Sequence, residues 1–181
     1  MSTTTPSDPA RKRHAVVLVG HGAPPSDAPP DLVPRLKKLE GDRRRRGGGA
    51  PSDEELRLEA ELRYWPRTPD NDPYRAGIER LLAALREAMP DVEVVAAYNE
   101  FCAPSLEAAV LALAEKAFAH ITVVPTMLTP GGIHSEVEIP ETLAELRTRV
   151  PAGTRIDYAW PFDERAVASV LAARVRALGG P

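Results

Sequence analysis

The sequence predicts an α/β fold, a three-layer sandwich on a mostly parallel sheet of about four strands. Two observations carry this. Short β-branched runs recur along the chain, and between them lie stretches with helical spacing of apolar residues, an alternation that builds βαβ units. A third observation limits the fold: 19 of the 181 residues are proline, about twice the usual share of roughly 5%. Helix interiors and central strands exclude proline, so much of the chain must be loop.

Each element follows in order. Residues 1–13 are polar, then basic, and are expected to be a disordered N-terminus with no secretory leader. Residues 14–181 form one domain. His14–Gly20, HAVVLVG, is a continuous apolar run suited to a strand buried on both faces. A Pro/Arg-rich insertion at about 24–73 follows, irregular apart from one helix at 52–65, where Ser52 and Glu55 form a capping-box pattern. Residues 72–89 place Ile78, Leu81, Leu82 and Leu85 on one helical face. Residues 92–98, VEVVAAY, make the second strand. Residues 103–118 make a helix with Pro104 in its first turn. Residues 120–126 are the third strand, and 139–150 a helix with early Pro140. Residues 154–160 are a weaker strand, and 163–178 a closing helix with Asp163 as N-cap.

Composition narrows the function classes. Lys plus Arg number 23 against 26 Asp plus Glu, a net charge of −3, so no global positive field draws in nucleic acid. Aromatics are 5%, too few for a base-stacking surface. No stretch reaches the ~18 apolar residues of a membrane span. One cysteine, Cys102, cannot form an internal disulfide, which fits a cytoplasmic protein. GxGxxG, GxxxxGK[ST], GxSxG and HExxH patterns are absent.

In an open parallel sheet, ligands bind beyond the carboxyl ends of the strands. His21 leaves the first strand between Gly20 and Gly22, Glu100 leaves the second, and His134 leaves the third after Gly131-Gly132. Each has a structural explanation alone: a hydrogen-bonded histidine, a helix-capping carboxylate, a residue past a turn. Together on one rim they point to chemistry. Neutral imidazoles bind divalent iron, cobalt, nickel or zinc, and a carboxylate adds a ligand or a proton acceptor. His14 and His120 stand at strand starts, on the opposite edge, and read as structural.

The segments VVLVGHGAP, YNEFCAPSLEAAV, VVPTMLTPGGIHSEVEIPETL and YAWPFDERAV, in that order, resemble the small sirohydrochlorin chelatases (CbiX/SirB-like type II tetrapyrrole chelatases). The resemblance covers 14–21 and then 92 to about 175. It implies a chelatase-like half-unit that inserts Co2+ or Fe2+ into sirohydrochlorin without ATP, in cobalamin or sirohaem biosynthesis. It implies that His21 and His134 bind the metal, and that Glu100 assists or accepts protons. It implies no permanently bound cofactor, with the metal and the tetrapyrrole as substrates. Longer chelatases contain two such halves around one cleft, so the resemblance implies a homodimer here.

The chain departs from that pattern. Ala23 stands where the family usually has serine, and the interval from His21 to Glu100 is longer than one helix. LVPRLKKLEGDRR resembles an early segment of protoporphyrin ferrochelatases, which makes a protoporphyrin a competing substrate. Two further functions suit the same residues: non-enzymatic delivery of metal or tetrapyrrole, and zinc-dependent hydrolysis at the same edge. Lys37, Lys38 and Arg43–Arg46 form a basic run, either a solvated loop or a lid that pairs with substrate carboxylates.

Overall fold

A computed structural model describes residues 13–179. The disordered start expected over 1–13 therefore lies, Arg13 apart, outside the described residues. Arg13 is held: its carbonyl accepts from Ala119 N at 3.1 Å, and its guanidinium sits 4.1 Å from the Phe118 ring centre.

The elements are β1 (His14–Gly20), α1 (Leu32–Arg45), α2 (Asp53–Arg63), α3 (Pro73–Ala88), β2 (Glu93–Tyr98), α4 (Leu106–Glu115), β3 (His120–Pro125), α5 (Ile139–Arg149), β4 (Arg155–Tyr158) and α6 (Glu164–Ala177). A π-helical turn, His134–Glu138, leads into α5. All strand pairs are parallel, in the order β2-β1-β3-β4.

The strands alternate to both faces, as the continuous apolar runs require. Ala15, Val17, Val19, Ile121 and Val123 pack against Val110 and Leu113 of α4 and Leu143 and Leu146 of α5. Val16, Leu18, Val94 and Tyr98 pack against Ile78 and Leu82 of α3. Helices on opposite faces make the three layers. Burying each Val, Leu or Ile contributes about 1.5–3 kcal/mol.

The strand order also fixes where a ligand can sit. From β1 the chain passes to β2 by way of α3 on one face; from β3 it passes to β4 by α5 on the other. Adjacent strands whose connections leave in opposite directions open a crevice at their carboxyl ends. His21 and His134 follow these two strands.

The insertion differs from expectation in having two helices. Leu32 and Leu36 of α1 meet Leu58 and Leu62 of α2 and Phe101 from the loop after β2, forming a third small core. Pro34 lies in the first turn of α1, where no helical N–H bond is lost. Arg67 ties this unit to the sheet: its guanidinium donates to the carbonyls of Ala23 and Leu62 at 2.8 Å, to that of Phe101, and to Asp72 Oδ2 at 2.7 Å.

Three local expectations are corrected. Ser105, not Pro104, begins α4, because its hydroxyl accepts from Ala108 N at 3.1 Å. The Ser52 hydroxyl caps Glu55 N at 3.2 Å, but the Glu55 carboxylate turns to Arg43 Nε at 2.9 Å. Leu81 is half exposed, since α3 buries only Ile78 and Leu82. Asp163 caps α6 as expected, accepting from Arg165 N and Ala166 N, yet no residue of α6 is buried.

Candidate metal centre

The turn after β1 is held by backbone contacts that only glycine permits. Gly22 has φ +91°, and a Cβ there would lie 1.9 Å from the Glu100 carbonyl oxygen. Glu100 N donates to His21 O at 2.8 Å, and Asn99 N to Gly20 O at 3.0 Å. His21 N donates to Tyr74 Oη at 2.8 Å.

The structure brings His21 and His134 together. Their Nε2 atoms are 2.9 Å apart, with rings nearly perpendicular. His21 Nδ1 donates to Gly22 O at 2.8 Å. His134 Nδ1 donates to Glu138 Oε2 at 2.6 Å, one helical turn on. Asn99 Nδ2 donates to the same oxygen at 2.9 Å and lies 2.6 Å from His134 Nδ1. Each ring thus spends its N–H on a fixed acceptor, which directs both Nε2 lone pairs inward. Two facing lone pairs repel unless a cation lies between them. Nitrogens about 2.0–2.1 Å from one ion and at right angles stand about 2.9 Å apart.

Burial alone would raise the Glu138 pKa. The hydrogen bonds from His134 and Asn99, with the nearby Arg44 charge, hold it below the ordinary carboxylate value. Glu138 is therefore an anion that fixes the His134 tautomer. The π-helical turn carrying both residues is pinned to β4, where Tyr158 Oη donates to Ser135 O at 2.9 Å.

Glu100 does not join the pair. Its Oε1 accepts from Lys37 Nζ at 2.8 Å, and the same ammonium bonds Glu40 at 3.0 Å. Among the described residues no three His, Cys, Asp or Glu side chains form a ready metal cage. The candidate centre is two histidines, and a divalent ion held by them would keep positions for other ligands. Sequence reasoning missed Glu138, Asn99 and Tyr74, and it read Lys37 and Arg44 only as part of a basic run, not as partners of Glu100 and Glu138. Glu138 had a signal, its i+4 spacing from His134.

A polar cleft of about 250 Å³ adjoins the centre, lined by Lys37, Arg43, Arg44, Asn99, Glu100 and Glu138. The basic run is divided. Arg43 is bound to Glu55, Arg44 lies 3.7 Å from Glu138, and Arg45 pairs with Asp42. His14 and His120 stack at 4.3 Å on the opposite edge, where His14 bonds Thr122 and His120 bonds Asp157, each in a structural contact.

The family model for CbiX matches residues 69–178. Among solved structures, a cobalamin biosynthesis CbiX protein of Marinobacter aquaeolei is 19% identical with TM-score 0.53, over 92% of this chain and 98% of that one. The sirohydrochlorin chelatase SirB of Bacillus subtilis subspecies spizizenii, solved in complex with cobalt, is 21% identical with TM-score 0.50. The match covers 88% of this chain and 49% of SirB, so this chain spans about half the longer protein. These likenesses establish the fold. No curated protein matches the sequence. No helix among the described residues is long and apolar enough to cross a membrane. With the family model covering more than half of its length, the chain belongs to the CbiX family.

Proposed function

We propose that this protein is a chelatase that inserts Co2+ or Fe2+ into sirohydrochlorin, using neither nucleotide nor a resident cofactor. The observation that carries the reading is the pair of Nε2 lone pairs converging at 2.9 Å beside the sheet's topological switch point. Family membership supports it, as does the cobalt complex of SirB.

The chemistry suits these residues. His21 and His134 hold a partly dehydrated divalent ion, with positions left for water and then for ring nitrogens. Two pyrrole N–H bonds break as metal–nitrogen bonds form, and two protons leave to bases or solvent. The ion keeps its charge. Glu100, released from Lys37, is the proposed proton acceptor and additional ligand. Holding ring and ion together replaces a chance encounter with a positioned one.

A cleft of about 250 Å³ is too small to enclose a macrocycle. We propose that a second copy supplies the rest, as a cytoplasmic homodimer. The test is purified protein with sirohydrochlorin and Co2+ or Fe2+, followed by absorbance. Acceleration over the spontaneous rate supports the reading; none with either ion overturns it. Tight stoichiometric binding without turnover would identify a delivery protein instead.

A further inference from the structure

Lys37 and Arg44 lie seven residues apart on α1, two turns along one helical face. Each reaches a carboxylate beside the candidate centre. Lys37 Nζ donates to Glu100 Oε1 at 2.8 Å, and Arg44 Nη2 lies 3.7 Å from Glu138 Oε1. The Lys37 contact is the tighter one. Glu40 bonds the same ammonium at 3.0 Å, and the Phe101 ring centre lies 5.0 Å away. The ammonium therefore sits in a built position between two carboxylates and an aromatic face.

We propose that Lys37 is an internal competitor for the metal, holding Glu100 away from the histidines until a carboxylate of the arriving substrate draws the ammonium off. The proposal deepens the chelatase reading and rests on it for the identity of the polycarboxylate. The Glu100 backbone is already hydrogen-bonded to that of His21. Glu100 and His21 are thus neighbours at the backbone, and the proposal requires the Glu100 side chain to turn from Lys37 toward the histidines. With Lys37 bound, the centre offers only the two imidazoles and captures metal weakly. With Lys37 gone, a hard anionic oxygen joins them and affinity rises. An ion is then taken up mainly when the ring is present. Burial would lower the Lys37 pKa, but its bonds to Glu100 and Glu40 outweigh that and keep the ammonium charged.

The experiment uses the full chain and Co2+ alone, by equilibrium dialysis. Lys37→Met is expected to bind Co2+ about tenfold more tightly than wild type, which is one added carboxylate ligand at about 1.4 kcal/mol per decade. Adding Glu100→Gln is expected to abolish the gain. Lys37→Arg, which keeps the cation, should bind like wild type and controls for folding, with circular dichroism on each variant. A second titration follows the fluorescence of metal-free sirohydrochlorin, which Lys37→Met is expected to bind several-fold more weakly. Unchanged Co2+ affinity in Lys37→Met, or a gain that survives Glu100→Gln, overturns the competitor. Unchanged sirohydrochlorin binding overturns its release by substrate. Neither titration requires turnover, so a chain that shifts as expected yet never accelerates insertion would refute the chelatase reading while leaving Lys37 as the competitor.

Discussion

His21 and His134, 113 residues apart in sequence, meet Nε2 to Nε2 at 2.9 Å, and each has its other ring nitrogen tied to a fixed acceptor. Because Glu138 sets the His134 tautomer, Glu138→Gln should weaken Co2+ binding by about 10–100-fold, the usual effect of losing an outer carboxylate. His21→Ala and His134→Ala remove ligands directly and should lose more. Isothermal titration with Co2+ measures all three. Wild-type affinity in both alanine variants would show that the pair is not the metal centre.

Much of this was legible in the sequence, for physical reasons. A buried parallel strand needs an unbroken apolar run, so β1 and β3 announced themselves, and a parallel sheet has one carboxyl edge, so His21 and His134 fell on it. What remained hidden depends on side-chain direction. Glu100 leaves the right strand, but its carboxylate answers to Lys37 on a helix the sequence hardly showed. α1 was obscured because Pro34, Gly41 and the arginines mask its Leu32–Leu36 stripe, which is buried only because α2 and Phe101 cover it. Glu138 belongs to a π-helical turn, a form with little local signature.

Gly22→Ala should damage fold and site together. The new Cβ would lie 1.9 Å from backbone oxygen, at a positive φ, and neither the strand end nor the turn can yield freely. Such strain costs about 1–3 kcal/mol, visible as a lower urea midpoint. Co2+ affinity should fall in the same variant, since His21 shares the displaced turn. A midpoint equal to wild type contradicts the close approach.

Arg67→Met should loosen the insertion. The Arg67 and Asp72 side chains are 3% and 1% exposed, so the variant leaves a buried carboxylate without its cation. Breaking such a pair from one side costs about 3–5 kcal/mol. Three carbonyls on three separate segments also lose their donor. Hydrogen exchange is expected to accelerate first in α1 and α2, ahead of the sheet. Uniform acceleration, or none, would show that Arg67 is not the fastening.

Stability should fall in mild acid through His14. Burial, then the neighbouring His120, lowers its pKa, with Asp157 opposing, so the folded protein binds a proton less readily than the unfolded chain. Where the unfolded state binds more protons, stability rises with pH. The loss therefore begins as pH drops below the ordinary histidine value of about 6.5 and continues to the lowered folded value. The Asp157 carboxyl is held low by Arg155 first and His120 second, so its own contribution is lost only at still lower pH. Urea unfolding at pH 7.5 and 5.5 tests this: His14→Gln should lose less stability than wild type on that step. Equal losses would remove His14 as the cause.

The proposed homodimer is expected to use α6 as its interface. Val170, Leu171, Val175 and Leu178 are 69%, 60%, 57% and 71% exposed. With Val167 they recur at i, i+3, i+4, i+8 and i+11, one apolar stripe on a helix with no buried residue. Water is a poor neighbour for such a stripe, and a second copy offers the same stripe in return, as two-fold symmetry requires. SirB, about twice as long, matches this fold over half its length, which leaves room for a second unit within one chain. Light scattering should give twice the 19.6 kDa chain mass, and the double variant Val170→Asp, Leu171→Asp should give the single mass with unchanged circular dichroism. Wild type at the single mass at every concentration would exclude the dimer. A double variant that stays dimeric would move the interface elsewhere.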